Sequence, residues 1–183
     1  MLRPIVAARE IMRSLADGTF VVDEAPCANA FTQPMHRSTA AKQYFHNRGG
    51  ALGWGMPAAV GVSLANDKAP VLCVVGDGSA LYSPQALWSA VHEETPVVFV
   101  ILNNGEYGIL KEFMLNQPQY NARKHGFLAM DICDPRIDFQ LLAGSMGVPA
   151  QKIGSKADIS GAIESALASG KSHLIEIPVT NTR

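Results

Sequence analysis

Two uninterrupted apolar runs dominate the hydrophobic pattern of the chain: Val71-Leu72-Cys73-Val74-Val75 and Val97-Val98-Phe99-Val100-Ile101-Leu102. Short runs of this kind, rich in β-branched residues, predict strands buried on both faces, as in a parallel sheet. Segments 19–23, 148–152 and 173–177 predict three more strands. Between the strands, apolar residues recur at helical spacing over 5–15, 84–93, 139–146 and 157–168. Segment 56–64 predicts a helix of small residues suited to close packing on a sheet, and 107–115 a short helix. Asp17-Gly18 stops the first helix, Ser83 and Pro84 predict the N-cap and first turn of the 84–93 helix, and Ser155 predicts the cap of the last. Segment 26–49 is polar, with irregular structure expected around Gln33-Pro34, and 117–135 is the longest predicted loop. The alternation of strand and helix predicts an α/β fold of three layers, with a largely parallel sheet in one domain over 1–183.

Each of the two apolar runs delivers a polar cluster at its carboxyl end: Gly76-Asp77-Gly78-Ser79 after the first, Asn103-Asn104 after the second. Open α/β sheets bind ligands at that end. The Asp77 carboxylate and the Asn104 side-chain carbonyl are hard oxygen ligands of the kind Mg²⁺ takes, usually with phosphate oxygens. Gly78 lets the backbone approach a phosphate closely, and Ser79 adds a hydroxyl. An Asp after a strand can also cap the next helix, so Asp77 has a plainer reading, which the paired Asn104 argues against. Asn103 reads as a turn residue. Leu110 and Phe113, three apart on a helix, share one face that lines either a pocket or the core. After segment 19–23 stands Asp23-Glu24-Ala25-Pro26, so the dinucleotide-binding Gly-x-Gly-x-x-Gly pattern is missing there.

Gly-Asp-Gly followed after a βα unit by Asn-Asn resembles the fingerprint of thiamine diphosphate (ThDP)-dependent enzymes. Gly49-Gly50-Ala51-Leu52-Gly53-Trp54-Gly55-Met56-Pro57-Ala58-Ala59, Gly78-Ser79-Ala80-Leu81-Tyr82-Ser83 and Asn103-Asn104-Gly105-Glu106-Tyr107-Gly108 are most similar to the benzoylformate decarboxylase branch. The similarity runs from about Gly18 to Pro178 and corresponds to the C-terminal, diphosphate-binding domain of such enzymes; no segment resembles their pyrimidine-binding or middle domains. The resemblance implies a ThDP-binding fold and two cofactors, ThDP and Mg²⁺. It implies Asp77, Asn104 and the backbone oxygen of Glu106 as metal ligands. Gly78, Ser79, Tyr82 and Tyr107 would lie near the diphosphate, the last two with competing readings as packed tyrosines. It implies a Gly50 backbone carbonyl that accepts from the aminopyrimidine and a Leu52 side chain that props the cofactor into its bent form, with core packing as the alternative for Leu52. Leu110 and Phe113 would line the substrate pocket. Pro26 and Cys27 stand where related enzymes often carry hydroxyl residues.

The resemblance further implies a non-oxidative 2-keto acid decarboxylase, a carboxy-lyase most like benzoylformate decarboxylase. Its activating Glu would come from the pyrimidine-binding domain of a neighbouring subunit or separate chain, in a homo-oligomer. No catalytic residue is therefore expected in this chain, and alone it is expected to be inactive. Acetolactate synthase, oxalyl-CoA decarboxylase and phosphonopyruvate decarboxylase types are alternatives, as is a non-enzymatic oligomerisation or regulatory domain.

Composition narrows the setting. Across 183 residues, 48% are apolar, enough for a substantial core. A net charge of −1 gives no reason to expect nucleic acid or an anionic membrane as partner. Cys27, Cys73 and Cys133 show neither metal-like spacing nor an even disulfide set, and residues 1–4 carry no apolar leader segment. His36, His46, His92, His125 and His173 show no ligand spacing, His46 reading as a surface residue, and Lys42 and Arg48 read as solvated charges. A cytoplasmic setting is expected.

Overall fold

The computed structural model describes residues 1–181, leaving aside the side chain at 123. Six strands form one sheet: β1 (Phe20–Glu24), β2 (Tyr44–His46), β3 (Val71–Gly76), β4 (Val97–Asn103), β5 (Ala150–Lys152) and β6 (His173–Pro178). Their order is β2-β1-β3-β4-β6-β5 and every pairing is parallel. The register Val75↔Ile101 and Gly76↔Leu102 brings the carboxyl ends of β3 and β4 level. Strand order reverses beside β1, which opens a crevice above the ends of β1 and β3.

Side-chain alternation in the central strands builds two cores. Leu72, Val74, Val98 and Val100 face one way and pack with Ala7 and Ile11 of α1 (Pro4–Arg13) and Ile159 and Ile163 of α9 (Ile159–Ala168). Cys73, Val75, Phe99 and Ile101 face the other way. They pack with Met56, Ala59 and Val60 of α3 (Gly55–Ala65), Leu87 and Ala90 of α5 (Ala86–His92), and Phe139 and Ala143 of α8 (Phe139–Ser145). Strands buried on both faces require helices on both, which gives three layers. Cys73 is fully buried, as a core filler should be.

Several local expectations need correction. The polar 26–49 segment holds two elements, α2 (Asn29–Met35) and β2. Pro34 lies inside α2, one residue from its end, where little helix remains to be disrupted. His46 is half-buried within the edge strand β2. Ser83 does not cap the following helix: α5 begins at Ala86 with Gln85 at the cap, and the buried Ser83 hydroxyl has no hydrogen-bond partner among the described residues. The 117–135 loop contains α7 (Ala122–His125). Ser155 does cap, accepting from the Ala157 N–H ahead of a 3₁₀ turn over Lys156–Asp158 that leads into α9.

Candidate diphosphate and metal site

Three strand ends converge on one cleft. Pro26 and Cys27 reach it from β1; Asp77, Gly78 and Ser79 from β3; Asn104, Glu106, Tyr107 and Gly108 from β4; and Leu52 from the loop before α3. The fold thus brings together most of the residues singled out by sequence. Asp77 opens α4 (Asp77–Ala80) but does not cap it, because the cap residue is Gly76 and no side-chain cap bond forms. Its Oδ2 instead accepts the Gly105 N–H at 2.9 Å, tying the β3 and β4 end loops together. Asn104 Oδ1 accepts the Glu106 N–H at 3.2 Å. Asn103 turns away from the cleft: its Oδ1 accepts from Gly105 N at 3.0 Å and its Nδ2 donates to Glu176 at 2.9 Å, a structural role.

Asp77 is 3% exposed, and among the described residues no ion pair reaches it. Burial pushes its carboxyl up to about 6, against the lowering effect of the Gly105 and Gly78 N–H groups. A buried carboxylate with no ion-pair partner among the described residues, sharing its cleft with an amide side chain, fits a hard divalent cation. Among the described residues no three His, Cys, Asp or Glu side chains cluster as a metal site. The candidate donor set is of another kind: one carboxylate, one amide and one backbone carbonyl. Cys27 is half-buried in the same cleft, and burial pushes its thiol up to about 11.

The 117–135 segment folds back over the site. Tyr107 N donates to Met130 O at 2.8 Å and Ile132 N to Gly105 O at 2.7 Å. Lys111 of α6 (Gly108–Leu115) is buried and pairs with both Glu106 and Asp131, fastening this cover to the site. Gly78 is required by contact: a Cβ there would stand 2.7 Å from the Tyr107 ring.

Other predicted residues lie apart. Gly50 is exposed, with φ +71, and nothing comes within 4 Å of its absent Cβ. Tyr82 is 59% exposed and packs its Cβ beside Gly53. Leu110 and Phe113 are 43% and 52% exposed, which removes the core reading of that face, and neither lines the cleft. Phe113 meets Tyr120 edge-to-face at 6.0 Å. Sequence reasoning missed Glu24, whose buried carboxylate accepts the backbone N–H groups of Gly53 and Gly55. No local signal marks it, because its partners lie about thirty residues ahead.

The fold and cleft define a parallel α/β domain that gathers an acidic residue, an amide and glycine-rich backbone at the carboxyl ends of neighbouring strands. Residues 25–177 match the thiamine pyrophosphate enzyme, C-terminal TPP binding domain, and the chain belongs to that family. It is 37% identical over 164 residues to a benzoylformate decarboxylase of Pseudomonas aeruginosa, covering 88% of this chain and 29% of the relative. It is 34% identical over 179 residues to a Mycobacterium tuberculosis chain assigned to the acetolactate synthase large subunits, covering 97% of this chain and 35% of the relative. A ThDP-dependent 4-hydroxybenzoylformate decarboxylase of Rhodococcus jostii superposes with a TM-score of 0.86 at 33% identity, over 98% of this chain and 33% of that one. The chain thus spans about a third of the length of the proteins it matches.

Proposed function

We propose that this chain is the Mg²⁺- and diphosphate-anchoring domain of a non-oxidative 2-keto acid decarboxylase of the benzoylformate decarboxylase kind. The observation that carries the reading is the convergence of Asp77, Gly78, Ser79 and Asn104 on one cleft. Asp77, Asn104 and the Glu106 backbone carbonyl would hold the ion. Gly78, Ser79 and Tyr107 would meet the diphosphate, whereas Tyr82 stands outside the cleft. Leu52, which also lines the cleft, would support the cofactor's bent form, and the Gly50 carbonyl would accept from its pyrimidine. When bound, ThDP supplies the electron sink for loss of CO₂ from a 2-keto acid. The protein's share is to anchor the charged tail, hold the cofactor's shape and keep water from the reacting end.

The activating carboxylate would come from a pyrimidine-binding domain of another subunit or chain, in a homo-oligomer. The exposed Leu110 and Phe113 would complete a substrate pocket against that partner. Three free cysteines suit a reducing, cytoplasmic setting, and no helix among the described residues is long and apolar enough to cross a membrane.

The 183-residue chain, given ThDP, Mg²⁺ and benzoylformate, should release no appreciable CO₂, and robust turnover without another chain would contradict this division of labour. Acetolactate synthesis is a second reading, supported by the match of 97% of this chain to about a third of the mycobacterial relative. Assaying the complete enzyme with pyruvate for acetolactate and with benzoylformate for CO₂ separates the two.

A further inference from the structure

Glu24 closes β1, where the chain leaves the sheet, and is 5% exposed. Its Oε1 accepts the Gly53 N–H and its Oε2 the Gly55 N–H. Those amides flank Trp54, the cap residue of α3, which makes no side-chain cap bond of its own. A helix start leaves N–H groups unpaired and favours negative charge. One carboxylate from a neighbouring strand meets both needs.

The fit is close from two sides. At Gly55 a Cβ would come within 2.7 Å of the Glu24 Cβ and Oε2, so the carboxylate sits where only glycine admits it. At Gly53, with φ +97, a Cβ would come within 2.6 Å of the Tyr82 Cβ. Leu52, the residue immediately before this grip, lines the cleft with Asp77 and Asn104. The outer part of the loop has only local support, from the Asn47 side chain to Gly49 and Ala51. Among the described residues, apart from the Trp54 carbonyl that accepts the Ala58 N–H within the first turn of α3, the hydrogen bonds that tie 49–55 to an element of the sheet run to Glu24.

We infer that Glu24 is a positioning residue for the cofactor's pyrimidine end: it clamps the Gly53–Gly55 backbone and thereby fixes Leu52 and Gly50 relative to the Asp77–Asn104 site. The inference rests on the reading of the cleft as a ThDP site. It separates two halves of that site, since Glu24 touches the loop and not the diphosphate-binding residues. Burial raises the Glu24 carboxyl, while the N–H groups of Gly53, Gly55 and Trp54 oppose that rise.

The test compares two ligands in the full chain, by calorimetry in Mg²⁺: inorganic pyrophosphate, which occupies the Asp77–Asn104 end alone, and ThDP, which spans both. Losing two charge-assisted bonds to the loop should weaken ThDP binding by about tenfold or more in Glu24→Ala, with pyrophosphate held to within about twofold. Glu24→Gln keeps one acceptor oxygen and should fall between wild type and Glu24→Ala. Amide hydrogen exchange at Gly53 and Gly55 should quicken in both variants. If Glu24→Ala fails to fold, Glu24→Gln carries the comparison. Equal weakening of both ligands, or no weakening of ThDP, overturns the inference. A wild-type chain that binds neither ligand overturns the cofactor reading together with it, whereas one that binds both while Glu24→Ala matches it overturns the clamp alone.

Discussion

Gly78→Ala probes the wall of the cleft with a single methyl group. Gly78 has no left-handed φ to lose, so the whole effect comes from packing. The new Cβ would lie 2.7 and 2.9 Å from Tyr107 Cε1 and Cδ1 and 3.1 Å from Ile132 Cδ1. The closest contact falls about 0.8 Å short of ordinary carbon–carbon separation. Tyr107 cannot yield freely, because its N–H is bonded to Met130 O at 2.8 Å and it caps α6. Overpacking of this order costs about 1–3 kcal/mol. At about 2–4 °C per kcal/mol for a domain of this size, the midpoint should drop by roughly 2–12 °C. Because Gly78 and Tyr107 both line the cleft, Mg²⁺-pyrophosphate binding should weaken in parallel. Thermal unfolding and calorimetry on one preparation read both effects. Adding Tyr107→Leu should recover much of the lost stability, which a double-mutant cycle measures as coupling. A Gly78→Ala protein that melts and binds like wild type would refute the placement of the tyrosine ring against this loop.

Gly61→Ala is the converse case. Gly61 lies inside α3 with nothing within 4 Å of the added Cβ, so the variant should gain about 0.5–1 kcal/mol, seen as a higher melting midpoint. Burial raises the Asp23 carboxyl, while hydrogen bonds from Thr32, Tyr44 and the Ala25 N–H pull it down. A raised folded value makes the Asp23 contribution to stability complete below the unfolded carboxyl pKa of about 3.9, and lost as pH climbs through the folded value. Asp23→Asn should therefore flatten that part of the stability–pH profile, and denaturant melts from pH 3 to 8 that keep the wild-type slope would contradict it. Phe99→Ala, which empties a fully buried site on β4, should cost about 3–5 kcal/mol in a denaturant titration.

The apolar runs of β3 and β4 were legible because strands buried on both faces need no alternation to be recognised, and their parallel register then brings the clusters that follow them, Asp77 and Asn103-Asn104, side by side. The candidate site was read from those strand ends together with the resemblance carried by the Gly-Asp-Gly and Asn-Asn motifs. β2 escaped notice because three residues in a polar segment carry too little periodicity. The α5 start was misplaced because Ser83-Pro84 has the composition of a cap but forms a turn, with Ala86 N bonded to Ser83 O at 3.1 Å. Glu24 looked like an ordinary charge after a strand. Its role exists only once β1 and the start of α3 are adjacent, which sequence spacing cannot express. The exposed face at Leu110 and Phe113 was ambiguous for a related reason: a helical stripe records what is apolar, not what covers it.

The central claim is that one divalent ion joins Asp77 and Asn104. Crystals grown with Mn²⁺ and ThDP, measured for anomalous scattering, test it most directly. The account predicts a single strong peak within coordination distance, about 2.0–2.3 Å, of the Asp77 carboxylate and the Asn104 side-chain oxygen. Ordered ThDP with no peak between those two side chains, or a peak elsewhere in the chain, would contradict it.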